Sequence, residues 1–200
     1  MNETESRKPL RAGLISLGCA KNLVDAEIML GALLKAGVEI TNDAAGAEVL
    51  IVNTCSFIDS AQEESVDAIL ESAELREAQN RGQALIVAGC LPQRFREDLP
   101  RLLPEVDAFM GIDQVARILE IVREALARRA GRVTGAKPPA RPRKLGLARE
   151  LDALSRAKPE PGENLRGTEE FGRTRTVLGK PAPPVFSVNQ RPTYIPDYGT

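Results

Sequence analysis

Three cysteines, Cys19, Cys55 and Cys90, carry most of the chemistry in this 200-residue chain. They stand in AGLISLGCAKN, VLIVNTCSF and ALIVAGCLP, 36 and 35 residues apart, each just after a short apolar run. A thiolate is a nucleophile and a soft metal ligand. Histidine is absent, which removes His-based acid–base catalysis, the Ser-His-Asp triad and every imidazole ligand. An odd number of cysteines argues against a disulfide framework and fits a reducing cytosol. Soft thiolates without histidine or a local carboxylate cluster point to iron–sulfur or zinc. Three of them leave a fourth position open, as a [4Fe-4S] cluster with an outside ligand does, whereas a structural zinc site is normally closed by a fourth protein ligand. Taken singly, each cysteine also reads as a small buried hydrophobe.

The elements around them decide between these readings. Ala12–Leu17, Val49–Val52, Ala84–Ala88 and Val106–Met110 read as buried strands, with Val38–Ile40 as a short extended piece. Asn22–Ala36 reads as a helix with Val24, Ile28, Leu30, Leu33 and Leu34 near helical spacing, stopped by Gly37. Ser60–Gln79 has Val66, Ile69, Leu70 and Ala73 on one side, and Gln114–Arg128 has Val115, Ile118, Leu119, Val122 and Leu126. A short helical segment after the third strand is broken at Pro100 and Pro104. Strands alternating with helices call for an α/β fold, an open parallel sheet with helices on both faces, Rossmann-like or flavodoxin-like. Strand ends of such a sheet open on one edge, where ligands bind. Each cysteine follows a strand, so three loops deliver three thiols to one crevice, and a shared metal or redox site is the stronger reading.

Local residues suit that role. Gly18 and Gly89 allow tight turns before two of the thiols. Asn22, Asn53 and Thr54 are expected to hydrogen-bond thiolate or sulfide, and helix N-termini favour negative charge there. Lys21, Gln93 and Arg94 flank two cysteines and either bind an anionic ligand or solvate the rim. Asp25, Asp59, Glu63 and Glu64 read as helix-start carboxylates, with Ser60 and Glu63 as a capping box. Neither GxGxxG nor GxxxxGK[ST] occurs, so a dinucleotide or P-loop site lacks its motif.

Composition divides the chain. Residues 131–200 carry 13 basic and 7 acidic side chains and ten of the 14 prolines, whereas the first 130 residues carry 14 basic and 21 acidic. The expectation is a domain over 10–128 and a Pro/Arg-rich linker over 129–200, mostly disordered between about 131 and 190, since such a segment buries too little apolar surface. Residues 145–157 read as a transient helix. A basic tail touching RNA phosphates is the second reading. With aromatic residues at 4% and a net charge of −1, strong nucleic-acid binding by the domain itself is not expected. No 18-residue apolar run and no apolar leader occur, so no membrane span is expected and the location is read as cytoplasmic.

SLGCAKNLVDAEIMLGAL, VLIVNTCSFIDSAQEESVDAILE and LIVAGCLPQRF, in this order and spacing, resemble the N-terminal domain of the methylthiotransferases. The resemblance covers about residues 12–127, and the final RPTYIPDYGT looks like the approach to a further domain. SLGCAKN favours the RimO-type branch, which modifies an aspartate of a small-subunit ribosomal protein, over the tRNA-modifying MiaB-type branch, which reads closer to TxGCQMN. The resemblance implies an auxiliary [4Fe-4S] cluster on Cys19, Cys55 and Cys90. Complete members continue into a radical S-adenosylmethionine domain, whose CxxxCxxC motif holds a second [4Fe-4S] cluster, and the whole replaces an unactivated C–H hydrogen by a methylthio group. No CxxxCxxC occurs in these 200 residues. The chain is therefore expected to be a fragment or truncated product that supplies the sulfur-holding half, or else a non-catalytic iron–sulfur-binding remnant.

Overall fold

A computed structural model describes residues 8–134, 147, 149–151, 153–154 and 185–187. The chain runs β1 (Arg11–Ser16), α1 (Ala20–Lys35), β2 (Glu39–Ile40), β3 (Val49–Thr54), α2 (Asp59–Gln79), β4 (Ala84–Gly89), α3 (Cys90–Arg94), α4 (Leu99–Leu102), β5 (Ala108–Met110), a 3₁₀ turn (Ile112–Arg117), α5 (Ile118–Val133) and β6 (Val185–Ser187). All pairings are parallel, in the order β2-β1-β3-β4-β5-β6. The first five strands follow the flavodoxin-like order, whose direction of winding reverses between β1 and β3. The α/β expectation holds, with helices on both faces.

The central strands β3 and β4 are buried at every position, as strands covered on both faces must be. Alternation sends Val49 and Ile51 of β3 into one core with Ala26, Met29 and Leu33 of α1 and Ile118, Ile121 and Val122 of α5. Leu50 and Val52 point the other way, into a second core with Val66 and Ile69 of α2 and Phe95, Leu99 and Leu103. Away from the cysteines, Arg76 and Asp107 form a buried ion pair at 3.1 Å, and Arg132 reaches the second Asp107 oxygen at 3.0 Å.

Three details differ from the sequence expectation. In α1 the buried face is Asn22, Ala26, Met29 and Leu33, while Val24, Ile28 and Leu34 are exposed at 52%, 52% and 58%. The helix is apolar almost all round, so periodicity left the face open and the sheet selected the side with the small Ala26. The expected capping box is absent: Ile58 precedes α2 and no side chain caps it, although Asp59 does lie in the first turn. After residue 130, α5 runs on to Val133 and Val185–Ser187 pairs alongside β5, while the piece expected as a transient helix, 145–157, is helical at its described residues, with Leu147 and Leu151 buried in the second core. The rest of the expected linker, including RPTYIPDYGT, lies outside the described residues.

Candidate functional site

Register makes the three cysteine loops equivalent. Ser16 of β1 pairs with Asn53 of β3, and Asn53 with Ala88 of β4, so the three strands end level. Cys55 and Cys90 each lie two residues beyond that row, and Cys19 lies three beyond. The site straddles β1 and β3, where the winding reverses and the helices on opposite faces leave a crevice.

Gly18 and Gly89 turn their loops with φ of +92° and +97°, a region that L side chains rarely occupy. A Cβ at Gly18 would lie 2.5 Å from Cys55 Cβ and 2.9 Å from its Sγ; at Gly89 it would lie 2.5 Å from the Thr54 carbonyl oxygen. Gly18 thus lets its loop pack against the Cys55 side chain, and Gly89 lets its loop pack against the backbone at Thr54.

Cys19 precedes α1 in extended conformation and is exposed. Backbone N–H groups of Asn22 and Lys21 hold its thiol below the ordinary value, helped by the Lys21 charge. Cys55 is buried. Its N–H donates to Ser65 Oγ at 3.0 Å, and the same hydroxyl lies 2.8 Å from its carbonyl oxygen. Cys90 opens α3, half-buried, with Sγ donating to Asn22 Oδ1 at 3.8 Å. Burial pushes its thiol up, and the nearby Cys55 adds to this.

The polar residues act on backbone more than on sulfur. Asn22 Nδ2 donates to the carbonyls of Leu17 and Thr54, both at 2.8 Å. Asn53 Nδ2 donates to Asn22 O at 2.7 Å, and Thr54 Oγ1 to Ala88 O at 2.6 Å. Of the three residues expected to hydrogen-bond sulfur, Asn22 does so by accepting from Cys90 Sγ, while Asn53 and Thr54 donate to backbone carbonyls. Carbonyls running past the ends of the strands need donors once buried, and these side chains supply them.

Lys21 is exposed and paired with Asp25, which sits beyond the first turn of α1 and is not a cap. Arg94 is a brace between loops: Nη1 donates to Ser56 O at 2.8 Å and its guanidinium lies 5.4 Å from the Phe95 ring centroid. Ser65 was missed by the sequence reading. Its signal was a hydroxyl on the same helical face as Val66 and Ile69.

The donor set fits a soft metal group: three sulfurs on one edge, a glycine cradle beside Cys55, and a buried, unpartnered acceptor, Asn53 Oδ1. Among the described residues, no three His, Cys, Asp or Glu side chains are arranged to hold a metal ion. With three cysteines and no histidine in the chain, a closed tetrahedral zinc site of Cys and His ligands cannot be completed from within it.

Residues 11–111 match the uncharacterized protein family UPF0004. The chain is 57% identical over 122 residues to the ribosomal protein uS12 methylthiotransferase RimO of Akkermansia muciniphila, covering 60% of this chain and 27% of that protein. It is 54% identical over 120 residues to the protein of that name from Pelobacter propionicus, 60% of this chain and 26% of the relative. With the Geobacter sulfurreducens protein of the same name, identity is 53% over 118 residues, 59% and 26% of the two chains. The match spans about a quarter of the length of these curated relatives.

Proposed function

This chain belongs to the uncharacterized protein family UPF0004, with an N-terminal domain of the RimO type, and on that footing we propose that Cys19, Cys55 and Cys90 hold an auxiliary [4Fe-4S] cluster. When bound, the cluster holds sulfur destined for methylthiolation of a small-subunit ribosomal protein. The observation that carries this reading is the level ending of β1, β3 and β4, which brings all three cysteine loops to one edge beside the winding reversal.

The chain's own residues then bind and position. Cys19, exposed and with its thiol held down by backbone N–H groups, would offer the most accessible thiolate. Ser65 fixes the backbone of Cys55, and Asn22 holds the Leu17 and Thr54 carbonyls beside Cys19 and Cys55. Three protein ligands would leave one coordination position of the group for sulfur. S-adenosylmethionine and a second [4Fe-4S] cluster belong, in this reading, to the complete enzyme, because no CxxxCxxC lies in these residues.

The relatives are named for the ribosomal protein uS12, and we place the substrate of the complete enzyme in that class and the activity in the cytoplasm. No helix among the described residues is long and apolar enough to cross a membrane.

Anaerobic reconstitution with ferrous iron and sulfide tests the reading. The expected product is brown, with about four iron and four sulfide per chain. A chain that binds one zinc ion and takes up no sulfide overturns it.

A further inference from the structure

We propose that Asn22 is the positioning residue that assembles the three thiol loops, an inference that rests on reading the cysteines as cluster ligands. Asn22 is fully buried, at 0% exposure, and one side chain reaches all three loops. Nδ2 donates to Leu17 O, two residues before Cys19, and to Thr54 O, the residue before Cys55. Oδ1 accepts from Cys90 Sγ. Its own carbonyl accepts from Asn53 of β3, so the residue that ties the loops is itself tied to the sheet.

The three loops belong to different strands, and Arg94 also ties the second of them to the third. Ordering them when metal arrives costs conformational entropy, and a group that holds them beforehand removes part of that cost. Both Nδ2 hydrogens are engaged on carbonyls, so the amide cannot turn over without orphaning two buried acceptors. Its orientation toward Cys90 is thereby fixed. The Cys90 bond belongs to the thiol form, since a ligating thiolate has no proton to donate; in the loaded chain alanine removes the links to Leu17 and Thr54. Aspartate keeps the shape but offers at most one donor for two carbonyls.

Gln83 provides a matched control at the other end of the sheet. It is buried, and its Nε2 donates to the carbonyls of Ala44 and Ala47 at 2.6 and 2.9 Å. Gln83→Ala therefore removes a similar pair of bonds far from sulfur.

The experiment reconstitutes wild type, Asn22→Ala, Asn22→Asp and Gln83→Ala with ferrous iron and sulfide. Iron loss to a chelator is then followed by visible absorbance, at a temperature where every protein compared is folded. Groups that orient metal ligands are worth about 10–100-fold in affinity. Asn22→Ala is expected to lose iron at least about tenfold faster than wild type, with Gln83→Ala near wild type despite a similar drop in melting temperature. Asn22→Asp gives the same comparison should the alanine variant not fold, with the same direction expected. Loss at the wild-type rate from either folded Asn22 variant overturns the inference and leaves the cluster reading standing. Equal acceleration in Gln83→Ala also overturns it, by tracing the effect to general stability. A wild-type chain that takes up no iron overturns the cluster reading and this inference with it.

Discussion

Cys19, Cys55 and Cys90 are chemically identical side chains that the fold places in three environments. Cys19 is exposed, Cys90 half-buried and Cys55 buried, and reagent access follows that order. In the reduced, metal-free protein, iodoacetamide is expected to label Cys19 first, Cys90 next and Cys55 last, as mapped by peptide mass. Labelling of Cys55 ahead of Cys19 would show that the loop after β3 opens in solution. The thiols themselves were legible in the sequence, because each follows a recognisable strand. The work of Asn22 was not. Three residues beyond Cys19 it reads as a neighbour of one thiol, and its links to Thr54 and Cys90 cross 32 and 68 residues of chain.

Helix α1 shows where element-level reading runs out. Leu23, Val24, Ile28, Leu33 and Leu34 surround most of the helix, so more than one face qualifies as the buried one by periodicity. The sheet selects Ala26, Met29 and Leu33, and leaves Leu34 in solvent. Leu33→Ala is therefore expected to cost about 2–5 kcal/mol in chemical denaturation, and Leu34→Ala to stay within about 0.5 kcal/mol of wild type. The reverse ranking would turn the helix over. Helices α2 and α5 were easier to read, because polar and charged residues fill the far side. Val66, Ile69 and Ala73 are buried as their spacing implies, and so are Ile118 and Val122.

At the scale of the whole molecule, the second core extends beyond the region that composition marks as folded. Leu151 is completely buried against it. Leu151→Ala is expected to cost roughly 2–5 kcal/mol, measurable as a shifted denaturation midpoint; a linker residue in solvent would cost nothing. Acid sensitivity also belongs to this scale. Burial lifts the Glu77 carboxyl, but the Arg129 hydrogen bond at 2.7 Å and the charges of Arg129, Arg76 and Arg81 outweigh it and hold Glu77 below the ordinary 4.5. Glu48 is lowered in the same way, with Arg11 overcoming the burial. A carboxyl depressed by folding contributes stability that is complete above its unfolded pKa and is lost as pH falls through the folded value. The melting temperature is expected to hold from neutrality to about pH 5 with respect to these groups, then fall. Glu77→Gln should melt lower at neutral pH and fall less steeply in acid. Identical acid slopes for variant and wild type would remove Glu77 from that response.

The sequence by itself determined the α/β alternation, the thiol set and the absence of any imidazole, because apolar period and residue chemistry are local properties. It also located the cysteines at strand ends, and with them the common edge. Tertiary structure alone decided which side of α1 is buried, that Leu147, Leu151 and Val185–Ser187 join the fold, that Thr54 and Ser65 hold backbone, and that Asn22 bonds two backbone carbonyls as well as the Cys90 thiol. Those outcomes depend on which buried carbonyls and apolar surfaces meet across the sheet. Such partners come together only when strands far apart in the chain settle into register.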